Sequence, residues 1–88
     1  MRHFSTFFQC DSAYAITKVV SHPTLPLTIT ASEDKQIRFY DNSTGKLTHA
    51  MAAHLDAVTS LSIDPNGLYL ISGSKKNHVS RNHVFVLA

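Results

Sequence analysis

At 88 residues, 43% hydrophobic and 16% charged, the chain has the length of one small domain and the make-up of an ordinary globular one. A single cysteine, Cys10, excludes an intramolecular disulfide, and no apolar run approaches the ~20 residues of a membrane span. The formal charge of +2 is uneven. Residues 1–74 hold five basic residues against six acids, whereas residues 75–88 hold Lys75, Lys76 and Arg81 with no acid, too few cations for the basic stripe of a nucleic-acid binder.

Residues 1–15 carry Arg2, Phe4, Phe7 and Phe8 but no apolar run or cleavage site of a secretory signal, so a cytoplasmic setting is expected. This segment stays unassigned. A first strand from Ile16 ends at the turn His22-Pro23-Thr24-Leu25-Pro26. Leu27, Ile29 and Ala31 then alternate with Thr28, Thr30 and Ser32, the period of two that puts apolar side chains on one face of a strand. Glu33-Asp34-Lys35 is a short polar turn. Beyond it Ile37 and Phe39 alternate with Arg38 and Tyr40, and Asp41-Asn42-Ser43-Thr44-Gly45 leads onward.

The next segment is ambiguous. Leu47, Met51, Leu55 and Val58 recur at helical spacing and Ala50, Ala52 and Ala53 favour helix, yet the surrounding pattern asks for a fourth strand running into a loop at His54. Leu61 and Ile63 alternate with Ser60 and Ser62, and Asp64-Pro65-Asn66-Gly67 is a strong turn. The tail Val84-Phe85-Val86-Leu87-Ala88 is apolar and β-prone. It supplies either a third strand of this second unit or an exposed, aggregation-prone end.

An internal repeat organises these elements. With a shift of 42 residues, Ile16 to Pro23 falls on Val58 to Pro65, and Leu27 to Ser32 falls on Tyr69 to Ser74. A period of about 40–45 residues with several short strands is the signature of a propeller blade. The expected architecture is all-β: a first repeat over residues 16–57, a partial second over 58–74 and a divergent tail over 75–88. This makes a propeller fragment of one four-stranded blade and part of another, not a closed propeller.

The order strand, Asp-Pro-Asn-Gly turn, Leu-Ile-Ser-Gly-Ser strand, polar turn and Ile-Arg-Phe-Tyr-Asp strand resembles WD repeats. Tyr40-Asp41 stands where Trp-Asp is usual, and Ala53-His54 where Gly-His is usual. Val19 to Asp41, Asn42 to Lys46, His54 to Ser60 and Asp64 to Ser74 are similar to the propeller of the striatins, over about residues 16–74. The resemblance implies a non-enzymatic scaffold whose partners are type 2A protein phosphatase subunits and associated kinases. It also implies a buried network with Asp34, Tyr40 and His54 as members, whereas Ser12 and Lys76 stand where the family has its other His and Asp. The likeness stops after Ser74, which suggests a truncated or alternatively spliced product as the alternative reading.

Other chemistries find little support. His49, His54 and Asp56 are the closest trio of metal-ligating types, with His78 and His83 a further pair, and no second cluster gives zinc spacing. Cys10 has no evident partner for nucleophilic catalysis, and Gly45, Gly67 and Gly73 make no phosphate-binding loop. Asn42-Ser43-Thr44 matches a glycosylation acceptor but reads more simply as a turn. No cofactor and no small-molecule substrate is expected. A small metal- or nucleic-acid-binding module, using the histidines and the tail, is the remaining alternative.

Overall fold

The computed structural model describes residues 15–76 and 79–87. Seven strands follow in chain order: β1 Ile16–Ser21, β2 Leu27–Ser32, β3 Gln36–Asp41, β4 Leu47–Ala52, β5 Val58–Ile63, β6 Tyr69–Lys76 and β7 Val79–Val86. They form two antiparallel sheets with simple up-and-down order, β1-β2-β3-β4 and β5-β6-β7. The fold is therefore all-β, one four-stranded blade and a three-stranded part of a second, with no closure into a ring.

Two open questions from the sequence are settled here. Leu47–Ala52 is a strand and not a helix, paired to β3 from Gln36↔Ala52 to Tyr40↔Leu47. Its exposed edge position explains why its apolar residues show no two-residue alternation. The tail adds a third strand to the second sheet, with Val84 opposite Ile71 and Phe85 opposite Leu70. Lys75 and Lys76 continue β6 and are not part of a separate tail element.

The turns explain where the strands end. Asp64 Oδ1 accepts the Leu68 and Tyr69 amides at 2.7 Å each and its Oδ2 accepts the Asn66 amide at 3.1 Å, while Gly67 takes a left-handed φ of 72°. Those bonds hold the Asp64 carboxyl below its usual value, the Tyr69 amide first among the causes. Forty-two residues earlier His22 does the same work: its Nδ1 accepts the Thr24 and Leu25 amides at 3.2 and 3.0 Å. The repeat extends to irregularities, since β1 and β5 each bulge at the corresponding Thr17 and Thr59.

The core lies between the sheets. Ile29, Ala31, Ile37 and Phe39 share one face of the first sheet, as the pairs Ile29↔Phe39 and Ala31↔Ile37 require. They pack on Val58, Leu61 and Leu70 of the second sheet, with Ile63 and Phe85 partly buried beside them. Burying each of the larger side chains, all but Ala31, contributes about 1.5–3 kcal/mol, so this seam is the main source of stability. Thr17 adds a polar tie across it, its hydroxyl lying 2.5 Å from the Val58 carbonyl and 3.1 Å from that of Ala31. With one hydrogen, it donates to one of them at a time.

Candidate functional site

The polar face of the first sheet carries the first cluster. Thr28, Thr30, Ser32, Arg38 and Tyr40 are buried there, a consequence of the same alternation that sends Ile29 and Ile37 to the other face. Asp34 sits in the β2–β3 turn, where Lys35 takes a left-handed φ of 74° and turns the chain back. The Asp34 carboxylate accepts the Ser32 hydroxyl and both terminal nitrogens of Arg38, one of them at 3.2 Å, and the Gln36 amide at 3.3 Å. Arg38 also donates to the Ser32 hydroxyl at 3.0 Å. This two-pronged guanidinium grip is the first cause holding the Asp34 carboxyl below its usual value, ahead of the opposing effect of burial.

The second cluster is built on the connection from β4 to β5. Ala53 donates its amide to the Lys35 carbonyl at 3.1 Å, which anchors the connection to the first sheet. The next residue, His54, is buried against the second sheet. Its Nε2 lies 2.7 Å from the Ser72 hydroxyl and its Nδ1 3.1 Å from the Ser74 hydroxyl, so both nitrogens are engaged. The ring of His83 on β7 meets it edge-on with centroids 4.6 Å apart. Burial, and secondarily His83, push the His54 imidazole below its usual value.

Sequence reasoning named Asp34, Tyr40 and His54. The structure puts Asp34 and His54 in two separate clusters, one on each sheet, and buries Tyr40 on the same face of β3 as Arg38. Ser12 lies outside the described residues, as do Cys10 and His78. Lys76, at the position of the family's aspartate, is exposed and pairs with Asp56 at 3.6 Å. Arg38 and His83 were missed. For Arg38 a signal existed, because it falls on the face shared by Thr28, Thr30 and Tyr40, four residues beyond the turn carboxylate. His83 carried none, since nothing in the tail sequence indicates its register.

Both polar sets are closed by hydrogen bonds within the fold, and the described residues contain no group of three metal-ligating side chains. His49 turns instead against Phe39, ring centroids 5.9 Å apart. It lines, with His22, Leu25, Leu27, Phe39, Thr48 and Leu87, a cavity of about 210 Å³ at one end of the sheets. Among the described residues no helix is long and apolar enough to cross a membrane.

Comparison with known proteins agrees with this geometry. Human striatin is 67% identical over 64 residues, which is 73% of this chain and 8% of that protein. Human striatin-3 is 71% identical over 59 residues, 67% of the chain and 7% of that protein, and mouse striatin-4 is 66% identical over 59 residues, 67% and 8%. The chain thus resembles the striatin family over one segment and spans less than a tenth of the length of these relatives. Among solved structures, U3-55K superposes with a TM-score of 0.68 at 25% identity, covering 70% of this chain and 21% of that one. The RRP9 WD40 repeats give 0.66 at 25% identity, with 70% and 20% covered. The WD domain, G-beta repeat family matches residues 3–41 and 45–80, most of the sequence, and with two stacked antiparallel sheets repeating at 42 residues the chain belongs to the WD40 repeat family.

Proposed function

We propose that the chain is a protein-binding element of a striatin-like propeller scaffold, working by surface contacts and not by catalysis, in a cytoplasmic setting. The observation that carries this reading is the 66–71% identity to striatins over a segment that forms a sheet-on-sheet seam. The buried polar clusters serve that seam: they fix the turn at Asp34 and the connection at His54, leaving loop side chains such as Leu55, 82% exposed, free to meet partners. The partners that the striatin resemblance implies are type 2A phosphatase subunits and their associated kinases.

A second feature supports a propeller setting. Tyr69, Ile71, Val84 and Val86 share the face of the second sheet that corresponds to the Leu27-Ile29 face of the first, and all four are exposed. In the first sheet that face is covered by the second sheet. An apolar face of the same kind is suited to a further blade.

Affinity capture with the tagged chain, beside full-length striatin, tests the reading. Recovery of phosphatase or kinase subunits by both, and reduced recovery with Leu55→Asp, is the expected result. Recovery by striatin alone would overturn it.

A further inference from the structure

His54 and His83 place two imidazoles in one site at the junction of the sheets. His54 rides on the connection that joins them, and His83 is on β7 directly opposite Ser72, the residue that holds His54 Nε2. His83 is exposed and stacks on Phe85 with centroids 6.3 Å apart, while His54 is buried. Among the described residues no carboxylate bonds either ring. The charged side chains on the surrounding strands are cationic: Lys76 lies on the same face of β6 as Ser72 and Ser74, and Arg81 on β7 pairs with Ser74. Asp56, the acid of the connection, is engaged by Lys76. The first sheet holds the connection at the β2–β3 turn, with the Ala53 amide on the Lys35 carbonyl, and that turn also carries Glu33 and the Arg38-bound Asp34.

We propose that His54 and His83 form an acid-sensitive latch, in which protonation of His54 beside the second imidazole releases the β4–β5 connection from β6 and loosens β7. In the neutral state each ring of the pair has one donor and one acceptor nitrogen, and the Ser72 and Ser74 hydroxyls rotate to match. A charge on His54 meets a second imidazole at 4.6 Å and no carboxylate on either ring, and water solvates that charge only if the ring leaves its site. The lowered His54 value agrees with this order: burial comes first and His83 second in opposing its charge. Since the folded value lies below the unfolded 6.5, the latch contributes fully above that pH and fails as pH falls below it.

The test is imidazole NMR titration of the whole chain with amide exchange on β6 and β7, from about pH 7.5 to 5. Protection at Ser72 and His83 is expected to fall by about tenfold or more, with His54 titrating below its ordinary value. In His54→Gln, whose amide still bonds serine, that loss of protection disappears. In His83→Gln, an exposed position that leaves the core intact, the loss shrinks and His54 titrates closer to its ordinary value. Unchanged pH dependence in both variants, or protection constant across the range in the native chain, would overturn the latch.

Discussion

The imidazole of His22 donates from Nε2 to the carbonyl of Gly67 at 3.2 Å, joining the β1–β2 turn of one sheet to the β5–β6 turn of the other. The proton sits on Nε2 because Nδ1 is occupied in accepting the Thr24 and Leu25 amides. One side chain therefore shapes its own turn and docks the neighbouring one. The contact is close enough that a Cβ on Gly67 would run into the His22 ring.

Gly67→Ala is expected to destabilise the chain by about 1–3 kcal/mol, from a left-handed φ of 72° and from displacement of His22. Combining it with His22→Ala should recover part of the loss, because the collision goes and the φ strain stays. Urea denaturation of the two single variants and the double variant gives the coupling. Strict additivity would show that the two turns are not docked through this pair.

Asp34→Ala removes the carboxylate gripped by both terminal nitrogens of Arg38, whose side chain is only 9% exposed. Breaking a buried ion pair by removing one member costs about 3–5 kcal/mol, so the variant should be less stable than Arg38→Met, which removes the charge as well. The pH dependence has a definite sign. The folded Asp34 value lies below 3.8, so the pair contributes fully above that pH and its contribution is lost as the carboxyl protonates below it. A thermal melt series in acid should show this loss in the native chain and not in Asp34→Ala.

Much of the first sheet was legible because alternation and turn chemistry agree there: Leu27 to Ser32 and Ile37 to Tyr40 alternate apolar and polar residues between Pro-containing or polar turns, although both of their faces are buried. β4 was not, since an edge strand exposed along most of its length has no need of alternation and is free to use Ala and Leu at helical spacing. β7 was half legible. Val84-Phe85-Val86 reads as a strand, but Ser80-Arg81-Asn82-His83 does not, and only pairing to β6 over its full length makes it one. The candidate residues Asp34, Tyr40 and His54 came from resemblance, and a network role for them as a set remains a proposal. Arg38 was overlooked because a charge opposite an apolar face reads as solvated, although here the face is buried.

Leu70 is fully buried where both sheets meet, on the face that packs against Ile29 and Ile37. Leu70→Ala should cost about 2–5 kcal/mol, a large share of the margin of so small a fold. Ile71→Ala, next along β6 but exposed on the other face, should cost much less. Equal losses from the two, measured by denaturant midpoint, would mean that the seam is not the core.

Gly73 stands between two cross-strand partners, Ser60 on β5 and Asn82 on β7. Its counterpart in the first sheet is Ala31, which has a Cβ and is fully buried against the second sheet. The difference lies in the neighbours: a Cβ at Gly73 would meet the Ser60 hydroxyl and would lie 2.7 Å from Asn82 Oδ1. Both obstructions are ends of side chains and not backbone, so the space can be recovered by trimming them. Gly73→Ala alone is expected to lower stability by about 1–3 kcal/mol through overpacking. With Ser60→Ala and Asn82→Ala added, the new methyl should be accommodated at a cost below about 1 kcal/mol relative to the same two substitutions with Gly73 kept. If the penalty of Gly73→Ala is the same in both backgrounds, the glycine is needed for its backbone and not for the closeness of its neighbours.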